Sequence, residues 1–457
     1  MASFDVSAWL ESDLARLVAD RGVPGAAVAV LADGRLHDAA AGVLSLSTGV
    51  AATTDSVFQI GSVTKLWTST LVMQLVDDGL LDLDTPVREY LPEFTTADDV
   101  AATSITVRHL LTHTAGFEGD IFDDTGRGDD AVEKLVARMA RVPQLVEPGE
   151  IYSYNNLGFV VLGRLIEVLR GKAFDQVLTE RLITPLGMTH AAPSPYEAIV
   201  HRAAVGHIDT GDGVRATSTW ALARSNAPAG AMLATSARDL LAFAKLHLDG
   251  GVAADGTRVL GAASAASMLE RQVDVPLPSA SAWGLGFALH DTDAGLVVGH
   301  DGGTIGQGAF LRIVPASGVA VALLTNGGDM LGLYLDVVRH LVEELAGATL
   351  RARPTPPAEP APFDAAPYLG TYSDTVYDMV VSQDSDGRVH LDRTPKDVLV
   401  EAGERPARME LVRLAPDQLI SLESVDGAHS VFAFVGRDDD GRARHIHYGR
   451  IISRSTA

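Results

Sequence analysis

Apolar residues at positions 6, 9, 10, 14, 17 and 18 recur at helical spacing, so the chain opens with an amphipathic helix over 6–18. Two apolar runs, 26–31 and 36–43, flank Asp33-Gly34, which is the pattern of a β-hairpin. The strongest helical signal covers 62–78. It follows Gly61, is apolar on most sides and stops at Gly79, so burial along its length is expected. Helical spacing also covers 131–141, 157–170, 174–186, 237–248 and 331–345, whereas 283–288, 295–299, 309–314 and 319–324 read as strands. Strands at both ends with helices between predict one mixed α/β (α+β) domain over 1–348, its sheet joining the two ends.

The pattern then breaks. Residues 349–367 hold Pro354, Pro356, Pro357, Pro360, Pro362 and Pro367, a semi-rigid spacer. Beyond it come short apolar runs at 368–372, 377–382, 389–391, 398–400, 408–414, 419–422, 431–435 and 444–451. Turn signals such as Ser385-Asp386-Gly387 and Asp426-Gly427 separate them. Regular short strands with turn chemistry predict a small all-β barrel or sandwich over 368–457.

Composition narrows the function classes. A formal charge of −23 repels phosphate backbones and anionic bilayers, so neither nucleic acid nor a membrane is expected as a partner. Without cysteine there is no thiolate nucleophile, disulfide or Cys-ligated metal. The opening residues lack a basic, then apolar, leader pattern and no run of 18 apolar residues occurs, so a cytoplasmic protein is expected.

Three short motifs carry candidate chemistry. Ser62-Val63-Thr64-Lys65 puts a hydroxyl and an amine three apart on one face of a helix start. A serine needs a base to become a nucleophile, and a desolvated lysine can be one where arginine cannot. Alone, a Ser helix cap and a solvated Lys account for the motif as well. Tyr154-Asn155-Asn156 follows the turn Pro148-Gly149-Glu150 and precedes a helix. Its phenol is a proton carrier, and Asn156 a group that can orient Lys65 and a substrate amide. His300-Asp301-Gly302-Gly303 ends a strand, where glycines allow close approach and the amides of Gly303 and Ser62 can form an oxyanion hole.

The order S-x-x-K, Y-x-N, H-x-G resembles the penicillin-recognising serine hydrolases: class C β-lactamases, D-alanyl peptidases and related esterases. The runs Phe58-Gln59-Ile60-Gly61-Ser62, Leu80-Leu81-Asp82-Leu83-Asp84, residues 107–114 and Ala229-Gly230-Ala231-Met232 extend the resemblance over about residues 8–345. It implies an antiparallel sheet flanked by helices, with Ser62 as nucleophile and Lys65 and Tyr154 as proton relay. It further implies Asn156 as a substrate and lysine contact, His300 at the third-motif place, and Gly302 and Gly303 beside the oxyanion. The tail resembles the lipocalin-like domain of some members. Where penicillinases of the family carry Lys-Thr-Gly, this chain has His-Asp-Gly, which favours esters, amides or thioesters over β-lactams.

The expected activity is ester or amide hydrolysis, including peptides that contain D-residues, through an acyl-enzyme. The substrate is a small molecule or peptide, and no cofactor is called for. The alternative with the same first step resembles penicillin-binding-type thioesterases, which release and cyclise nonribosomal peptides. A catalytically idle scaffold is the competitor from another class. His109 and His113, four apart on a helix, could hold zinc, but without a third ligand or H-E-x-x-H a structural role is favoured and no metal is expected. G-x-S-x-G is absent. The acidic loop with Asp120, Asp123, Asp124, Asp129 and Asp130 reads first as a solvated loop and second as a lure for cationic substrates. Oligomeric state is left open.

Overall fold

The computed structural model describes residues 4–211, 213–396, 400, 405–424 and 428–455. An eight-stranded sheet forms its centre. The strands are β1 (Gly25–Ala32), β2 (Arg35–Gly42), β3 (Val273–Asp274), β4 (Ala282–Trp283), β5 (Ala288–Thr292), β6 (Gly295–Thr304), β7 (Gln307–Val314) and β8 (Val319–Thr325). Their order is β2-β1-β8-β7-β6-β5-β4-β3, antiparallel at every pairing, so the first hairpin closes onto the last strand. The mixed domain and its antiparallel sheet are thus as expected.

Period-two alternation along β1 explains the layering. Ala26, Val28 and Val30 pack with the opening helix α1 (Val6–Asp20) and the helical segment 330–346. Ala27, Ala29 and Leu31 face the larger helical layer on the other side. Every residue of β1, β7 and β8 is buried, because both sheet faces are covered.

The helix α2 (Thr64–Asp77) runs through that larger layer with 12 of its 14 residues buried, from Thr64 to Leu75. Trp67 stacks on Phe243 at 5.0 Å. The helix expected from residue 62 begins differently, with a 3-10 turn at Gly61–Val63 leading into α2. Ser62 caps nothing, which leaves its hydroxyl available.

Three other expectations change in detail. The strand at 283–288 splits into β4 and β5, because Gly284-Leu285-Gly286 interrupts it with Gly286 at φ +94°. The helices at 174–186 and 331–345 each contain a wide π turn, Thr179–Ile183 and Leu335–Arg339.

The tail is a closed eight-stranded antiparallel barrel in simple meander order. Its strands are β9 (Gly370–Ser373), β10 (Tyr377–Gln383), β11 (Val389–Pro395), β12 (Ala407–Ala415), β13 (Gln418–Ser421), β14 (Val431–Arg437), β15 (Ala443–His447) and β16 (Ile451–Arg454). Alternate residues such as Met379, Val381, Leu391, Leu411, Phe432 and Phe434 fill the interior. The pairing Tyr372↔Arg454 closes it and removes both sheet edges. Residues 398 and 399 of the strand expected at 398–400, and the turn at Asp426-Gly427, lie outside the described residues. The single strand expected at 444–451 is two strands, β15 and β16, joined at Tyr448-Gly449-Arg450. That turn meets the loop that carries Tyr154.

Candidate active site

Ser62 sits on the turn that leads into α2, beside the end of β6, held by contacts that only glycine permits. Gly61 adopts φ +49°, and a Cβ there would lie 2.6 Å from the amide nitrogen of Gly303. A Cβ on Gly302 would lie 1.9 Å from the Ile60 carbonyl, and one on Gly230, at φ +118°, would lie 2.2 Å from the Gly61 carbonyl. The end of β6 and the residue-230 turn thus clamp the Ser62 turn from two sides. Gly303 itself faces open space.

Lys65, one turn along α2, is fully buried. Its Nζ lies 3.1 Å from Ser62 Oγ, 2.6 Å from Asn156 Oδ1 and 2.6 Å from the Ala229 carbonyl oxygen. The rings of Tyr154 and Phe159 lie 5.0 and 5.6 Å from it. Burial, and secondarily the Arg450 guanidinium, push the lysine well below its ordinary pKa against the pull of Asp120. Tyr154 hydrogen-bonds to Ser62, and burial raises its pKa, so it remains a phenol at neutral pH.

Asn156 opens the helix α3 (Asn156–Arg170), which Asn155 caps through its side chain to the Gly158 amide. Asn156 is thereby locked on the first turn, facing α2. Its Nδ2 donates to Asp120 Oδ1 at 2.8 Å, so its Oδ1 must face Lys65.

His300 lies on β6, 4% exposed. Its Nδ1 donates to the Asp301 carbonyl at 2.5 Å, whereas Nε2 has no protein partner. Burial lowers its pKa to about 4, so it is neutral at pH 7. The Asp301 carboxylate pairs with buried Arg312 at 2.6 Å.

All seven residues singled out from the three motifs therefore meet at one place. His109 and His113 do not share a helix as expected, because the helix ends at Leu111 and His113 follows it at φ +57°. His109 belongs to a capping box with Thr106, and His113 Nδ1 accepts the Asn155 amide at 3.0 Å. Among the described residues no cluster of three or more His, Cys, Asp or Glu is placed to hold a metal ion.

Sequence reasoning missed Arg450. It projects from the β15–β16 turn, pairs with Asp120 and lies 5.1 Å over the Tyr154 ring. The turn is bolted to the Tyr154 loop: the Tyr154 amide donates to the Gly449 carbonyl at 3.1 Å, and the Ile451 amide to Ser153 Oγ at 3.2 Å. His447 Nε2 donates to the Tyr152 carbonyl at 2.8 Å. Asp120 stood in the sequence only as one acid of a loop. Asp123, Asp129 and Asp130 pair with Arg138, Arg224 and Lys134 on the surface, and Asp120 alone among these four reaches the site. The one hint of Arg450 is Gly449, which interrupts an otherwise strand-like run and adopts φ +78°.

This fold and this set of side chains define a serine hydrolase. The chain belongs to the beta-lactamase family, whose profile matches residues 10–344. Penicillin-binding protein 4 of Amycolatopsis lactamdurans is 48% identical over 374 residues, covering 81% of this chain and 98% of that protein. The crystal structure of SurE superposes with a TM-score of 0.80 at 32% identity over 98% of both chains, the barrel included. D-amino acid amidase of Ochrobactrum anthropi SV3 gives 0.61 at 26% identity over 72% of this chain and 95% of its own. No helix among the described residues is long and apolar enough to cross a membrane.

Proposed function

We propose that the enzyme forms an acyl-enzyme on Ser62 from esters, amides or peptide thioesters, with a D-configured residue at the reacting carbonyl, and passes the acyl group to water or an amine. The observation that carries this is the set of partners of Lys65. A neutral amine has two N–H bonds and one lone pair. Asn156 Oδ1 and the Ala229 carbonyl are acceptors only, so they take both N–H bonds and leave the lone pair for Ser62. Lys65 is then a base ready to receive the serine proton.

Ser62 Oγ attacks the carbonyl carbon while its proton passes to Lys65 Nζ. The amides of Ser62 and Gly303 receive the negative charge that develops on oxygen. Collapse breaks the bond to the leaving group, which takes a proton from the Tyr154 phenol, and Lys65 restores that proton. In the second half an acceptor O–H or N–H gives up its proton to the same relay, and the relay returns a proton to Ser62 Oγ as the acyl–Oγ bond breaks.

The electrostatics argue against penicillins as good substrates. Above pH about 4 His300 is neutral, and Arg450 is committed to Asp120, so a substrate carboxylate at the third motif meets no uncommitted charge from either. Support for the D-configuration comes from relatives: SurE has been crystallised with D-Leu, and a D-amino acid amidase shares the fold. An amine acceptor, giving cyclic product from a linear peptide, is favoured by the buried, unpaired Nε2 of His300, a neutral acceptor for an incoming N–H. Incubation with a peptide thioester ending in a D-residue should give cyclic peptide or linear acid, and the L-epimer neither. Equal use of both epimers would refute the stereochemical claim.

A further inference from the structure

Asp120 is the point where the barrel and the catalytic lysine meet. One carboxylate oxygen accepts the Asn156 amide at 2.8 Å, and the other faces the Arg450 guanidinium. The run Arg450–Asp120–Asn156–Lys65 therefore crosses from the barrel turn, through the 118–130 loop, to α3 and α2.

We propose that Asp120 is a positioning residue: it fixes the Asn156 amide with its oxygen toward Lys65 and offsets the charge that Arg450 brings into the pocket. The assignment rests on the reading of Lys65 as the base for Ser62. Its physical content is simple. Asn156 presents either its oxygen or its NH2 to Lys65, and only a fixed acceptor on its far side selects the oxygen. Asp120, an acceptor only, is that group. Its charge matters as well, since Arg450 disfavours protonated Lys65 and Asp120 favours it. The other titratable groups around the site are Tyr152, Tyr154, His113, His300, Glu118, the Asp301–Arg312 pair, whose charges offset each other, and, from the barrel, Asp374. Burial keeps both histidines neutral at pH 7. Burial also raises Glu118 and Asp374 above their ordinary values. Asp120 and Arg450 are thus the paired charges that set the field at Lys65, and each offsets the other.

The chain's five lysines are Lys65, Lys134, Lys172, Lys245 and Lys396. Protein labelled with 13C at the lysine ε-carbon, with Lys65 assigned by its loss in Lys65→Arg, reports the titration of Lys65 without any substrate. Arg450→Gln should raise the Lys65 midpoint by about one pH unit. Asp120→Asn, isosteric but uncharged, should lower it by a similar amount, and the double variant should return within about half a unit of the native value. The acid limb of kcat/KM for p-nitrophenyl butyrate should move in the same directions. A merely structural role would reduce the rate at all pH values and leave the midpoint in place. Single variants that shift the midpoint in one common direction, or not at all, overturn the proposal. If Asp120→Asn loses its cooperative melt, Asp120→Glu, which keeps the charge, must hold the midpoint near native, and a shift there overturns it equally. Failure of Ser62 to acylate would sink the acyl-enzyme reading and leave these titrations standing.

Discussion

Lys65 and Arg450 enter one pocket from opposite ends of the chain, and their surroundings treat them oppositely. Lys65 stands on a helix that is almost wholly buried and meets the oxygens of Ser62, Asn156 and Ala229, none of them charged. Arg450 stands on a hairpin turn of the barrel, its side chain 33% exposed, and meets a carboxylate. Desolvation without a countercharge favours the neutral form, and lysine can adopt it at neutral pH. Arginine cannot, so the pocket keeps it charged and pairs it. The lesson is that a cation at an active site is made a base or a fixed charge by its neighbours, and the residue type matches the treatment.

The comparison breaks most severely at Lys65. Lys65→Ala should lower the acylation rate by about 10²- to 10⁴-fold without loss of the folded state, the scale expected for removal of a general base. Stopped-flow release of p-nitrophenol measures it, and a loss under tenfold would move the base elsewhere. Arg450→Lys keeps the charge but not the planar fork, so a loss of about three- to tenfold is expected, much smaller than for Lys65.

A third test contrasts two adjacent glycines. A Cβ at residue 302 meets the Ile60 carbonyl, whereas one at 303 meets nothing within 4 Å. Gly302→Ala should therefore cost about 1–3 kcal/mol in chemical denaturation, and Gly303→Ala less than about 1 kcal/mol. Equal costs would refute the close-approach argument.

The motif residues were legible because each triplet is local. Three residues on one helix turn face together whatever the fold, and Tyr154 to Asn156 spans a single loop and cap. The central sheet was legible from alternation and long apolar runs. Arg450 was not, since it meets Asp120 only through barrel closure and domain docking, and the residues before it, His445-Ile446-His447, alternate as a strand should. Nor do π turns show in a helical pattern, because the flanking residues keep their apolar face. Ser62 read as the first residue of a helix for the same reason: a 3-10 turn and an α turn share their sequence signals.

Buried histidines also tie stability to acid pH. His300 in the sheet and His447 at the barrel interface are both buried, with pKa values lowered to about 4 from 6.5. At these two sites the unfolded chain therefore binds more protons between pH about 4 and 6.5, against the opposite contribution of Glu167, raised by burial to about 7. The contribution of each histidine to stability should rise with pH across that window and flatten above it. His300→Gln should reduce the total rise across the window by about 3 kcal/mol, the linkage of a shift from 6.5 to about 4. An unchanged slope would place that His outside the linkage.

The central claim is that Ser62 carries the acyl group. Intact mass after brief incubation with p-nitrophenyl butyrate, followed by peptide mapping, tests it directly. A butyryl adduct on the peptide that contains Ser62, absent from Ser62→Ala, is the expected result. An adduct or turnover that persists in folded Ser62→Ala would contradict it.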